Sequence, residues 1–204
     1  MKDEIINRFT EKKIIYFFFA CFLIINNVKA QKFTGSAVWG INLAQIDGDA
    51  LYGYSKLGWT GGFKIGYPIA KNTNINMEML YSQRGSTSGF GFGSNKDIFT
   101  DLKYISLPIY VNYNDWYIED QKYYKVGIHA GLSSAKLFDI KSSNGVFSNN
   151  IDNYTPYSFS YIIGVNYAFT SKISTTIRYT RDINSLYTVT AIGYFITLRM
   201  DYKF

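Results

Sequence analysis

Three features of the sequence consist of residues that could carry out chemistry. His129 is the only histidine, so any Ser-His-acid hydrolase built on this chain must use it. Asp47-Gly48-Asp49 places two carboxylates around a glycine, a pattern that ligates calcium in some proteins but more often forms a turn. The run Gly89–Ser94 resembles a phosphate-binding loop, but no helix pattern follows it. We therefore expect no cofactor, no metal and no catalytic residue. We expect a surface loop at 89–94 whose Phe90 and Phe92 form a partner-binding tip.

A further group of charged residues lies in segments where polar and apolar residues alternate, always on the polar side. The group comprises Lys64, Glu78, Arg84, Arg178 and Arg199. If these segments close into a narrow barrel, all five side chains point into one lumen, where an unpaired charge is costly. A salt-bridge network that plugs the barrel is the favoured interpretation, and a gated or proton-linked pathway is the alternative.

The elements that would position these side chains are strands. From Ser36 onward apolar residues recur at every second position, which is the period of a strand. Ile105, Leu107 and Ile109, for example, alternate with Ser106 and Pro108. Eight such segments are predicted, each near the 9 to 11 residues that cross a bilayer when tilted. They are 36–43, 59–67, 75–84, 104–113, 124–133, 158–169, 173–180 and 192–204.

Two closed architectures fit eight strands: a soluble barrel with its apolar side chains inside, and a membrane barrel with them outside. The small, glycine-rich and charged set fits a narrow interior, whereas the bulky aromatic and aliphatic set would overfill it. We therefore predict an all-β, eight-stranded, antiparallel up-and-down transmembrane barrel of a Gram-negative outer membrane. Pro108 lies mid-strand, where proline removes a hydrogen bond, and a local bulge is expected there.

The predicted links between strands support this orientation. With the N-terminus in the periplasm, the long links 44–55, 85–100, 134–156 and 182–189 are external. The short links 68–72, 114–121 and 170–172 are periplasmic. Long external links and short periplasmic turns are typical of bacterial barrels.

The first thirty residues have the pattern of a signal peptide. Lys12 and Lys13 precede the apolar run Ile14–Ile25, which is too short for a membrane helix, and small residues stand before Gln31. We predict cleavage between Ala30 and Gln31, which makes 1–30 the signal peptide and 31–204 the barrel domain. An uncleaved anchor and a lipoprotein acylated at Cys21 are the alternatives.

Composition excludes several other classes of protein. An aromatic share of 19% with only 3 Pro is incompatible with disorder. The charges that give a net +6 are scattered, so no nucleic-acid surface is expected. The one cysteine, Cys21, lies within the predicted signal peptide, so neither disulfides nor a metal site is expected to stabilise the mature chain.

Five phrases together resemble the PorT-type family of outer-membrane β-barrels, in order and over nearly all of the predicted mature chain. They are GINLAQIDGD (40–49), GYSKLGWTGGFKIGYPI (53–69), MEMLYSQRG (77–85), LKYISLPIYVNY (102–113) and KVGIHAGL (125–132). The resemblance implies an outer-membrane barrel and, in the branch that gives the family its name, an accessory part in protein export. The end of the chain, with Tyr202 and Phe204, resembles the signal read by barrel-assembly machinery.

The function expected from the sequence is therefore non-enzymatic. The barrel would bind or scaffold partners through its external loops, with an accessory part in secretion as the specific role. A small passive pore and an outer-membrane lipid-modifying enzyme are the alternatives. The expected partners are outer-membrane lipid and lipopolysaccharide, barrel-assembly machinery and secretion-system proteins, but no nucleic acid.

Overall fold

The structure is a computed structural model, and it describes residues 33–49, 51, 53–92, 98–143, 149–187 and 191–204. The predicted signal peptide and its cleavage site, Ala30 and Gln31, lie outside these residues. A short 3-10 helix, Ile151–Asn153, stands between the fifth and sixth strands. The strands that the structure describes are β1 (Thr34–Asp47), β2 (Lys56–Ala70), β3 (Thr73–Thr87), β4 (Phe99–Ile118), β5 (Tyr123–Ser142), β6 (Tyr157–Ala168), β7 (Ile173–Asp182) and β8 (Ile192–Lys203).

These strands form a closed barrel. Each strand pairs antiparallel with the next, and β1 pairs with β8 from Ser36 opposite Lys203 to Asp47 opposite Ile192. Closure leaves no sheet edge without a partner, which is what allows a sheet to stand in hydrocarbon. The prediction of an eight-stranded, antiparallel up-and-down barrel is confirmed.

The two faces of the barrel wall differ as the alternation predicts. Bulky apolar side chains point outward, with Phe63 61% and Ile163 56% exposed. Asn42 and Ser158 point into the lumen and are fully buried. Because the exposed face is apolar over most of its area and the lumen is polar, this wall is suited to lipid outside rather than to water.

Two strands are longer than the sequence pattern predicts. β4 and β5 have 20 residues each, so residues 134–142, predicted as part of an external link, continue β5. A β-bulge between Lys103 and Tyr104 accompanies this extension. The links at one end (48–55, 88–98, 143–156 and 183–191) remain longer than those at the other (71–72, 119–122 and 169–172), so the first set is external.

The bulge expected at Pro108 is absent. Met77 pairs with Ile109 and Leu80 pairs with Ser106, so the register of β3 against β4 is the same on both sides of the proline. No extra residue is inserted. Instead, Leu107 and Pro108 have no pairing partner on β3, so the hydrogen-bond ladder between β3 and β4 is interrupted at these two residues. On its other side Pro108 still pairs with Ser133 of β5. The missing N–H is accommodated by an interrupted ladder rather than by a bulge.

Candidate functional site

The centre of the lumen is a carboxylate shared by two guanidinium groups. Arg178 donates to Glu78 Oε2 and Oε1 at 2.7 and 3.1 Å, and Arg199 donates to the same atoms at 2.9 and 2.6 Å. The Tyr110 hydroxyl donates a further bond to Oε1 at 2.5 Å. Glu78 is 1% exposed, and the charge is compensated entirely by side chains from β4, β7 and β8. Such bidentate, charge-assisted bonds fix geometry as well as lowering energy.

Lys64 joins this centre through a second carboxylate. Although Lys64 lies opposite Glu78 in the β2–β3 register, its Nζ is 3.3 Å from Asp201 Oδ1. Asp201 also lies 3.5 Å from Arg199 Nη2 and accepts a hydrogen bond from Thr176. The central network therefore contains Lys64, Glu78, Arg178 and Arg199 of the predicted group, together with Asp201, which was not predicted to belong to it.

Arg84 belongs to a separate cluster nearer the external end. Its Nη1 is 3.2 Å from Asp182 Oδ1, and its Nη2 donates to Ser106 at 3.2 Å. Ser158 and Ser160 each donate to Asp182 at 2.6 Å. The guanidinium stacks on the rings of Tyr104 and Phe195, at 4.2 and 4.7 Å. The alternating pattern predicts a link at Asp182, so it does not reveal this partner of Arg84.

Between the two clusters lies a small cavity. It measures about 20 Å³ and is lined by Arg84 on one side and by Arg178 and Arg199 on the other. A cavity of this size holds roughly one water molecule. The charged side chains therefore fill the lumen at this level instead of lining a channel.

Above the Arg84 cluster the lumen is closed by apolar side chains, here called the apolar plug. Strand residues and residues of two external links contribute to it, and the rings of Tyr154 and Tyr187 meet at 5.0 Å where the two links form a β-bridge. The plug consists of Ile46, Leu102, Tyr104, Ala135, Leu137, Tyr154, Leu186 and Ala191. The alternating pattern does not reveal the apolar plug, because it predicts small and polar inward side chains throughout.

His129 is part of the central network. It is 4% exposed, its Nε2 accepts a bond from Arg178 Nε at 3.1 Å, and its ring lies 4.8 Å from that of Tyr110. The imidazole faces the lumen and lies away from the lipid-facing wall. A lipid substrate therefore has no path to it, and its acceptor nitrogen is already occupied.

The glycine-rich loop folds back onto the barrel wall. Gly91 forms a parallel bridge with Lys56, and Phe92 stacks on outward-facing Trp59 with ring centres 4.9 Å apart. Phe90 is 67% exposed beside it. The next residues that the structure describes, from Ile98 onward, lead into the strand β4. Phe90 thus projects at the external rim, and Phe92 lies against the wall.

Asp47-Gly48-Asp49 is a turn. Gly48 has a φ of 94°, and Asp49 Oδ1 accepts a bond from the Leu51 amide at 2.9 Å. Asp47 lies 3.7 Å from Arg181 instead of facing Asp49 across a cation. Burial raises the pKa of Asp49 above its ordinary value. Among the described residues no group of three or more His, Cys, Asp or Glu side chains could hold a metal ion.

The end of the chain lies at the periplasmic rim. Tyr202 and Phe204 are 38% and 70% exposed, their rings lie 6.1 Å apart, and the Phe204 amide donates to Gly35. Both rings therefore remain on the outer surface of β8. In the part of the chain that the structure describes, no helix is long and apolar enough to cross a bilayer.

Together, the closed sheet, the apolar outer wall and the ionic lumen define a transmembrane β-barrel. A comparison with protein families agrees: residues 25–188 match the outer membrane protein beta-barrel domain family, and the chain belongs to it. It is accordingly a protein of the Gram-negative outer membrane.

Solved structures with a similar fold include outer-membrane proteins of several bacteria. Ail, the attachment invasion locus protein of Yersinia pestis, is 16% identical, with 84% of this chain and 97% of that chain covered and a TM-score of 0.46. Neisserial surface protein A is 17% identical, with 85% and 97% covered and a TM-score of 0.48. The N-terminal barrel of Pseudomonas aeruginosa OprF is 11% identical, with 85% and 98% covered and a TM-score of 0.42. A search of curated protein sequences found no match.

Proposed function

We propose that this barrel is a non-enzymatic component of the outer membrane that binds or scaffolds partners through its external loops. The observation that carries the proposal is the blocked lumen. Glu78 and its two arginines fill the centre, and the apolar plug fills the external end. At these two levels the described side chains leave little room for a solute, which disfavours the passive pore. The buried position of His129 disfavours the lipid-modifying enzyme.

The external rim is the surface that remains for a function. β4 and β5 are the longest strands, and the loop that carries Phe90 folds against the outer wall. An exposed aromatic ring on a loop positioned by a rigid scaffold is well suited to contact another protein.

An accessory part in protein export is the specific role that we propose. It is supported by the resemblance of five phrases of the sequence to PorT-type barrels, and by a barrel that offers loops rather than a channel. The secretion-system partner would then bind from outside or within the membrane, not through the lumen.

Site-specific crosslinking in cells tests the proposal. A photoreactive amino acid in place of Phe90 should crosslink to a discrete protein, whereas the same probe in place of Phe169, on a periplasmic turn, should not. Deleting the gene should reduce the amount of exported protein at the cell surface. Stepwise conductance of the purified barrel in planar bilayers, without any crosslinked partner, would instead favour the pore.

A further inference from the structure

The lipid-facing wall has a depression across β4, β5 and β6, here called the lateral depression. Its lining includes two small outward-facing residues of β5, Ala130 and Ser134, which lie on either side of the exposed Leu132. Leu107, Ile109 and Phe159 form part of its sides. Because this wall stands in hydrocarbon, an apolar chain must fill the depression.

A lysine lies at the upper end of the lateral depression. Lys136 follows Ser134 by two positions on β5, so both side chains leave the same outward face. It pairs with Ile105 of β4 and Tyr157 of β6, which offer no charge. Within the described ranges no carboxylate lies within salt-bridge distance of Lys136, whereas nearby Lys103 is held by Asp139 at 2.7 Å.

The level of Lys136 in the membrane follows from the direction of β5. This strand runs from the periplasmic turn at 119–122 to the external link at 143–156, so Lys136 lies nearer the external end than Ser134 does. An outward lysine at that level faces the headgroups of the outer leaflet. Its uncompensated charge and the apolar depression below it together match an amphiphile with an anionic head.

We propose that the lateral depression and Lys136 form a docking site for a phosphorylated lipid of the outer leaflet. One acyl chain lies over Ala130 and Ser134, and a headgroup phosphate accepts hydrogen bonds from the Lys136 ammonium. Lys103, the diagonal neighbour of Lys136 across the β4–β5 pair, is paired with Asp139, so Lys136 is the cation that the headgroup meets. This inference depends on the barrel standing in the outer membrane and not on the proposed partner binding, so either can fail without the other.

Native mass spectrometry of the full mature barrel in mild detergent tests the site. The probes are bisphosphorylated lipid A and the same lipid with both phosphates removed. Lys136→Gln should weaken binding of the phosphorylated probe about fivefold, the effect of losing one headgroup cation. Lys172→Gln, the same charge change on a periplasmic turn, should leave binding unchanged.

A second pair of variants tests the acyl part of the site. Ser134→Leu fills the lateral depression with a side chain compatible with lipid, so the barrel should fold and binding of both probes should fall. Thr175→Leu, an outward change of the same kind on β7 and outside the lateral depression, is the matched control. Equal binding of the two probes by the wild type, or wild-type binding by Lys136→Gln, would overturn the headgroup contact. Wild-type binding by Ser134→Leu would overturn the acyl contact.

Discussion

The guanidinium of Arg178 donates from Nε to Nε2 of His129 at 3.1 Å, while its two terminal nitrogens are bonded to Glu78. A neutral imidazole has one acceptor nitrogen, and this contact uses it. The only histidine therefore orients an arginine and is not available as a general base.

Replacing His129 with alanine should lower stability and leave lipid chemistry unchanged. Arg178 Nε loses its acceptor in a buried site, which costs about 1–3 kcal/mol. Urea unfolding of the barrel in detergent measures the first effect, and mass spectra of the lipids of cells that express the variant measure the second. Ser133→Ala, on the same strand and the same lumen face, is the control. An altered lipid profile with unchanged stability would point instead to an enzyme.

Glu78→Gln should be the most destabilising single change in the lumen. It leaves Arg178 and Arg199 without their shared counter-charge, and breaking a buried ion pair costs about 3–5 kcal/mol. The midpoint of urea unfolding should fall, while Glu119→Gln on a periplasmic turn should leave it unchanged. Conductance in planar bilayers should stay near zero, because the apolar plug is intact. A large new conductance with unaltered stability would contradict the plugged lumen.

Gly164 gives the His129 ring the space it occupies, so alanine there should destabilise the barrel. A methyl group at this position would lie 2.5 Å from the Ile177 carbonyl oxygen and 2.7 Å from two atoms of the imidazole. We expect a loss of about 1–3 kcal/mol from overpacking. Gly61→Ala, where the nearest atom is 3.3 Å away, is the matched control and should lie within experimental error of the wild type. Equal stability of the two variants would mean that the His129 ring can move aside without cost to the barrel.

The first external link should be less stable at neutral pH than at a pH below 3.8, the ordinary pKa of an aspartate. Burial raises the pKa of Asp49 in the folded link, so the fold favours its protonated form. The contribution of protonated Asp49 to the stability of the link is full below the pKa of Asp49 in the unfolded state. It is lost as the pH rises through the raised pKa of the folded state. Hydrogen exchange of the Leu51 amide, corrected for its intrinsic rate, should therefore show less protection at higher pH. Asp49→Asn should remove this dependence, and an unchanged slope in that variant would contradict it.

The fold was accessible from the sequence because one physical rule governs most of it. Residues such as Ile109 and Leu198 alternate with lumen residues over nearly every membrane-crossing segment, and only a barrel satisfies the backbone of such segments in lipid. The same alternation places Glu78, Arg178 and Arg199 on the inner face. The alternation does not predict which of the inward charges form ion pairs, because the pairing depends on how the strands are staggered across the lumen.

Three features could not be read from the pattern. Arg84 pairs with Asp182, 98 positions away, and nothing in the local sequence links them. Leu102 and Leu137 are apolar yet face inward, where they pack against Tyr154 and Leu186 of the external links. Pro108 was expected to force a bulge, but the sheet accommodates the proline by leaving Leu107 and Pro108 unpaired with β3.

The shared carboxylate also constrains the order in which the barrel can enter the bilayer. Glu78 comes from the third strand, whereas both arginines bonded to it come from the seventh and eighth, so an N-terminal intermediate could offer its carboxylate only Lys64, which lies opposite it on β2. Its two bidentate partners would still be missing, so the carboxylate has to keep its water until the last hairpin arrives. The C-terminal strands thus complete the bonding of the lumen as well as the sheet.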